Sequence, residues 1–135
     1  MSAASNYLEN KVLDHVLTAT AYTAPTTRHL ALFTNTSGSA AVNLEAGTLT
    51  DEISGGSYAR QAITFNAASG GSSTSAATVT FPAATANWGS ITHVAVMDAS
   101  TSGNVLFWGA VTTPKTIEIG DTFQVSSGNL TITLA

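Results

Sequence analysis

The sequence contains no cysteine, which removes both a disulfide framework and any thiolate metal site. Charge is nearly as scarce: Asp, Glu, Lys and Arg make up 9% of the chain, against roughly a quarter of an ordinary soluble domain. Its four cations, Lys11, Arg28, Arg60 and Lys115, are scattered, and the formal net charge is −4. No basic stripe is available to neutralise phosphates, so no nucleic acid partner is expected. No apolar run approaches the ~20 residues of a membrane-spanning helix, so no membrane partner is expected. The first residues lack the basic and apolar regions of a signal peptide, and synthesis in a cytoplasm is the expectation.

With so little charge, solubility has to rest on hydroxyls, and Ser and Thr together exceed a quarter of the chain. Thr is β-branched and places its hydroxyl on an exposed pleat, so this composition suits strands. It also suits packing against other protein, because few charges need desolvating at the contact. A chain of 135 residues reads as a single domain over 1–135, able to bury roughly two-thirds of its unfolded surface without cross-links.

The densest apolar stretch runs from Thr78 to Val111 and holds both tryptophans, Trp88 and Trp108. Alternation from Ile91 to Met97 puts Ile91, His93, Ala95 and Met97 on one face, with Val94 and Val96 on the other. Both faces are apolar, which predicts a central strand covered on both sides. Val105 to Val111 repeats the pattern, with Val105, Phe107 and Val111 opposite Leu106, Trp108 and Ala110. The intervening Asp98–Asn104 is turn chemistry, so the two runs read as an antiparallel hairpin at the centre of the fold.

Before it, the spacing predicts one helix over residues 6–19, capped by Asn6 with Glu9 completing a capping box. Leu8, Val12, Leu13, Val16 and Leu17 form its apolar stripe. A helix this short is marginal alone, so the stripe must dock on the sheet or on a neighbouring subunit. A strand over His29–Phe33 follows, then an ordered excursion over 34–56 anchored by Leu44, Leu49 and Ile53. Ser57–Phe65 alternates, with Ile63 and Phe65 inward and Arg60 and Thr64 outward. Residues 66–77 are Gly/Ser/Ala-rich and read as a flexible, solvated loop. Beyond the hairpin, Pro114-Lys115 reads as a turn into Thr116–Ile119. Further turns lead into Phe123–Val125 and Leu130–Leu134. Short strands between regular turn signals indicate a mainly β domain, a β-sandwich or jelly-roll-like fold with one N-terminal helix.

No residue pattern indicates chemistry. His15, His29 and His93 are too far apart for a local metal motif. No G-x-S-x-G elbow is present, and neither Gly55-Gly56 nor Gly70-Gly71 leads into a phosphate-loop Lys-Ser/Thr pair. The chain is therefore expected to have no catalytic residues, cofactor or metal. Arg60, flanked by Tyr58 and Gln61, is expected to pair with Asp51 or Glu52. Trp88 and Trp108 suit either sugar stacking or a core or interface role. Core or interface positions are expected for Trp88, Phe107, Trp108, Tyr58, Arg60, Leu8, Val12 and Val16.

The order of several segments resembles a family of small tailed-phage virion proteins, of the head-decoration or tail-fibre-like kind. These segments are Tyr7-Leu8-Glu9 with Val12-Leu13-Asp14-His15, Leu30–Thr34, Gly56–Gln61, Phe81-Pro82 and Trp88–His93. Gly103-Asn104, Gly109, Pro114-Lys115-Thr116 and Gly120-Asp121-Thr122 complete the pattern. The resemblance implies a virion structural protein with no catalytic residues. Its leading implication is a capsid decoration, or cement, protein on the capsid surface, acting as a homotrimer that clamps neighbouring major capsid protein subunits. The alternative is a tail or tail-fibre component involved in host attachment. From the apolar density alone, Trp88, Phe107 and Trp108 are expected to be mostly buried, and Phe107→Ala to cost ~3–5 kcal/mol in denaturant unfolding.

Overall fold

The computed structural model describes residues 2–134. The chain opens with β1 (Ala3–Ala4), α1 (Asn6–Leu17), β2 (Arg28–Phe33), α2 (Ala40–Glu45) and β3 (Gln61–Ile63). It continues through β4 (Ser72–Thr74), β5 (Val79–Thr80), β6 (Gly89–Met97), β7 (Val105–Ile117), β8 (Gln124–Val125) and β9 (Thr131–Thr133). The protein is mainly β, with one large antiparallel sheet in the order β1-β7-β6-β2-β3. Two ribbons, β4-β9 and β5-β8, accompany it.

β6 lies in the middle of that sheet, as its two apolar faces require. On one face Leu30, Leu32, Ile91, Val94, Val96 and Leu106 pack with Val79, Phe81 and Phe123 from the segments around β5 and β8. On the other face Ala31, Phe33, Ala95, Met97 and Val105 pack with Leu44 of α2. The ribbons thus cover one side of the sheet and the short helix covers the other.

Unbroken alternation assigns these faces incorrectly at two points. The β6–β7 register shifts between Ile91 and His93 and again between Val96 and Met97. The first bulge turns Ile91 onto the face of Val94 and Val96, away from Ala95 and Met97. The second leaves Leu106 and Phe107 on one face, with Val105 and Trp108 on the other. A bulge inserts a residue without changing the sequence's apparent period, so parity reverses across it.

α1 begins at Asn6, and its cap lies one residue earlier than expected. Ser5, extended at φ −75 and ψ 160, is the N-cap, and its side chain accepts from the Leu8 amide at 3.3 Å. The Ser5 amide donates to the Leu106 carbonyl at 2.9 Å, and its hydroxyl to the Val105 carbonyl. Ser5 therefore caps the helix and fastens it to β7 at once, which Asn6 inside the helix does not do. The helix ends at Leu17 rather than 19, with Thr18 as C-cap. Ala19 then takes φ 55, a left-handed conformation that favours glycine.

Three other expectations change. The excursion over 34–56 contains α2, whose Leu44 is buried. Residues 66–77 are not merely loop: β4 pairs with β9, matching Ser72 to Thr133 and Thr74 to Thr131. Ser75 there is fully buried, and its hydroxyl accepts from the amides of Gly128 and Leu130 at 3.1 and 3.3 Å. Pro114-Lys115 is not a turn, because β7 runs through it to Ile117. The ladder jumps from His93↔Ala110 to Ile91↔Lys115. β7 thus carries extra residues at Pro114, where no ladder bond demands a proline N–H.

Burial sets the ranking of aromatic truncations. Phe81 is 1% exposed, whereas Phe107 is only partly buried against the core. Phe81→Ala should cost ~3–5 kcal/mol in denaturant unfolding, and Phe107→Ala less than ~3 kcal/mol, below the value expected from sequence. Ala19→Gly should stabilise by about 1 kcal/mol in the same measurement, by relieving the left-handed alanine.

Candidate functional site

The molecule's polar chemistry is gathered around Arg60, which is 9% exposed rather than outward-facing. β3 pairs only with Arg28–Leu30 of β2, so the rest of that strand edge needs other partners. The Ile53 amide donates to the Leu32 carbonyl at 3.1 Å, and the Tyr58 hydroxyl accepts from the Leu32 amide at 3.1 Å. Tyr58 in turn donates to Glu52 Oε1 at 2.9 Å. Arg60 grips the same carboxylate in bidentate fashion, Nε to Oε1 at 2.7 Å and Nη2 to Oε2 at 2.8 Å. Its Nη1 reaches across to the carbonyls of Ala99 and Ser102 at 2.9 and 2.7 Å, clamping the β6–β7 loop.

Of the two expected partners, then, Glu52 takes the pair. Hydrogen bonding to Glu52 raises the Arg60 pKa above its ordinary value, outweighing the opposing effect of burial. Burial pushes the Tyr58 phenol well above its normal range. Asp51 serves a different loop: it accepts from the Ser37 amide at 3.0 Å and the Thr36 hydroxyl at 3.2 Å, and also from the Ser37 hydroxyl. The Ser37 hydroxyl bond is the main cause holding its carboxyl below the usual range.

Trp88 is buried in an aromatic column. Its ring meets Tyr58 edge-on at 5.6 Å, Tyr58 stacks on Phe81 at 6.1 Å, and Phe81 meets Phe123 at 5.8 Å. The indole N–H donates to the Gly56 carbonyl at 2.9 Å. Gly56 has φ +60, and a Cβ there would fall 2.8 Å from that indole nitrogen, so only glycine fits. Trp108, only partly buried, donates from Nε1 to Glu45 Oε2 at 2.8 Å, with the His93 ring 6.4 Å away. No sequence spacing links Glu45 to Trp108, because the contact depends on α2.

The histidines do not converge. His15 is on α1, His29 on β2 with a buried Nδ1 lacking a partner, and His93 on β6 beside the Thr92 hydroxyl. The described residues contain no group of three His, Asp or Glu side chains arranged to hold a metal. Desolvation lowers the His93 pKa.

What the molecule does present is an uncovered apolar helix face. Within the expected stripe of α1, Leu8 is 6% exposed and Val12 packs against the core. Leu13, Val16 and Leu17 are instead 54%, 70% and 73% exposed. Ser5 ties the first turn to β7, and the helix leaves the sheet beyond Val12. Its last turns and the chain that follows to Ala21 are exposed. Such an arrangement suits contact with another protein.

Glu52→Ala should destabilise by ~3–5 kcal/mol, because it leaves the Arg60 charge buried without its partner. Replacing both residues by apolar ones of similar volume should cost less, as denaturant unfolding of the single and double variants would register. The sign for Asp51 follows from its depressed pKa. Its contribution is complete above the ordinary Asp value of about 3.9 and is lost as pH falls through the lower folded value. Thermal unfolding should therefore show stability declining below about pH 4, less steeply in Asp51→Asn.

Comparison with known proteins gives this surface a context. The family model described as podophage GP4 fiber I protein gp80 matches residues 3–133. Among curated proteins no match is found. A match over nearly the whole chain assigns the family: the protein belongs to the podophage GP4 fiber I protein gp80 family, a family of phage virion structural proteins.

Proposed function

We propose that the protein is a structural component of the phage tail fibre, contributing to host attachment through protein assembly and not through catalysis. The observation carrying this reading is the match over residues 3–133 to a family described as a fiber protein. That description favours the fibre over the capsid-surface decoration expected from motif order. The physical character of the chain is compatible with the role. A cysteine-free, charge-poor β scaffold is locked by one buried ion pair and carries an apolar helix end in solvent. Docking there requires little charge desolvation, and the scaffold behind it is rigid enough to transmit position. No active-site chemistry is needed for such a part.

Gold-labelled antibody against the protein, imaged on intact particles, tests the location directly. Label should fall on the tail, with quantitative mass spectrometry giving few copies per particle. Label spread over the head in many copies would return the protein to capsid decoration, and particles lacking it would then rupture at lower temperature.

A further inference from the structure

The exposed end of α1 has a counterpart elsewhere on the same chain. At about 100° per residue, Leu13, Val16 and Leu17 share one sector of the helix, while Lys11 and Asp14 fall outside it. Their exposures of 54%, 70% and 73% make them a convex apolar knob. A groove of about 370 Å³ opens between the sheet and the β4-β9 ribbon, lined almost entirely by apolar atoms. Phe65, Val96, Leu106, Phe107, Ile132 and the 56%-exposed Leu134 form its walls. Its one charged lining residue is Arg28.

We infer that the knob of one copy of this chain seats in the groove of another, with Asp14 of the first facing Arg28 of the second. Three observations select a second copy as the occupant. The three side chains displace on the order of 300 Å³, which fills the groove at protein packing density. Charge is complementary, because the knob is bordered by the exposed carboxylates of Glu9 and Asp14 while the groove carries Arg28. Arg28 donates from Nη1 to the Pro25 carbonyl at 3.1 Å, which leaves its remaining donors for a carboxylate.

Area provides the third argument. The knob leaves roughly 350 Å² per copy, so helix against helix would bury only ~700 Å², below the ~1,000 Å² of a specific interface. Knob into groove, used in both directions by two copies, raises that to ~1,000 Å², the lower limit of a specific interface. The reciprocal pair uses each knob and each groove, and the contact is independent of where in the virion the protein sits.

Sedimentation velocity of the full chain over a concentration series tests the pairing. The unsubstituted protein should self-associate reversibly. Leu17→Lys on the knob and Ala68→Trp at the groove should each weaken association at least tenfold. Asp14→Arg should weaken it as well, and combining it with Arg28→Asp should restore it. Leu17 and Ala68 are both exposed, so melting temperatures measured on dilute samples should match the parent and exclude misfolding. A parent that stays monomeric throughout overturns the inference, as does association that survives either Leu17→Lys or Ala68→Trp.

Discussion

The guanidinium of Arg60 constrains more of this structure than any other single group. A charge so nearly removed from water is tolerable only if its donors are met, and Glu52, Ala99 and Ser102 meet four N–H groups between them. Those partners come from two separate parts of the chain, the segment at Glu52 and the β6–β7 loop. Meeting them fixes the segment 52–60 against the exposed edge of β2 and pins the loop joining the two longest strands. It also fixes Tyr58, whose hydroxyl completes the β2 edge and whose ring carries Trp88 and Phe81. The ion pair therefore acts more as a register pin than as a source of stability, since an apolar replacement of both partners is energetically competitive.

Around that pin, the two faces of the central sheet are completed differently. One is covered by ribbons that bring Val79, Phe81 and Phe123 inward, the other by a six-residue helix seated through Leu44. The N-terminal helix belongs to neither layer along its full length. Ser5, Leu8 and Val12 hold it to the domain, while Leu13, Val16 and Leu17 face solvent. In a chain with so few charges, what distinguishes one surface from another is exposed carbon rather than electrostatic potential. For a protein of a virion fibre family, that is the kind of surface assembly can use without a large desolvation penalty.

The central hairpin, the β2 strand and the N-terminal helix were legible because their apolar runs are dense and their flanking turns are chemically explicit. The mainly β class followed from alternation along the strands. What the sequence did not show was each place where a tertiary contact overrides a local rule. Ser5 displaces Asn6 as the cap because its backbone and hydroxyl also bond to β7. Ile91 changes face because a bulge at Thr92 inserts no recognisable punctuation. Arg60 alternates as an outward residue yet is buried, because Glu52 and two loop carbonyls are positioned to receive it. The Glu45–Trp108 bond and the apolar groove were invisible for a related reason. Both join elements far apart in sequence, one of them the short α2 with no capping signal from its side chains.

β1 lies beside only Phe107 and Trp108 of β7, so among the described residues most of the outer edge of β7 has no neighbouring strand. An open row of amides and carbonyls is the ordinary starting point for runaway sheet growth between molecules. Here the row is interrupted by extra residues, by Pro114 with no hydrogen to donate, and by the exposed ammonium of Lys115. Interruptions of this kind make a strand edge a poor template for addition of a strand from a second molecule. Lys115 is one of only four Lys and Arg residues in the chain, and a charge at a strand edge opposes pairing there because pairing would desolvate it.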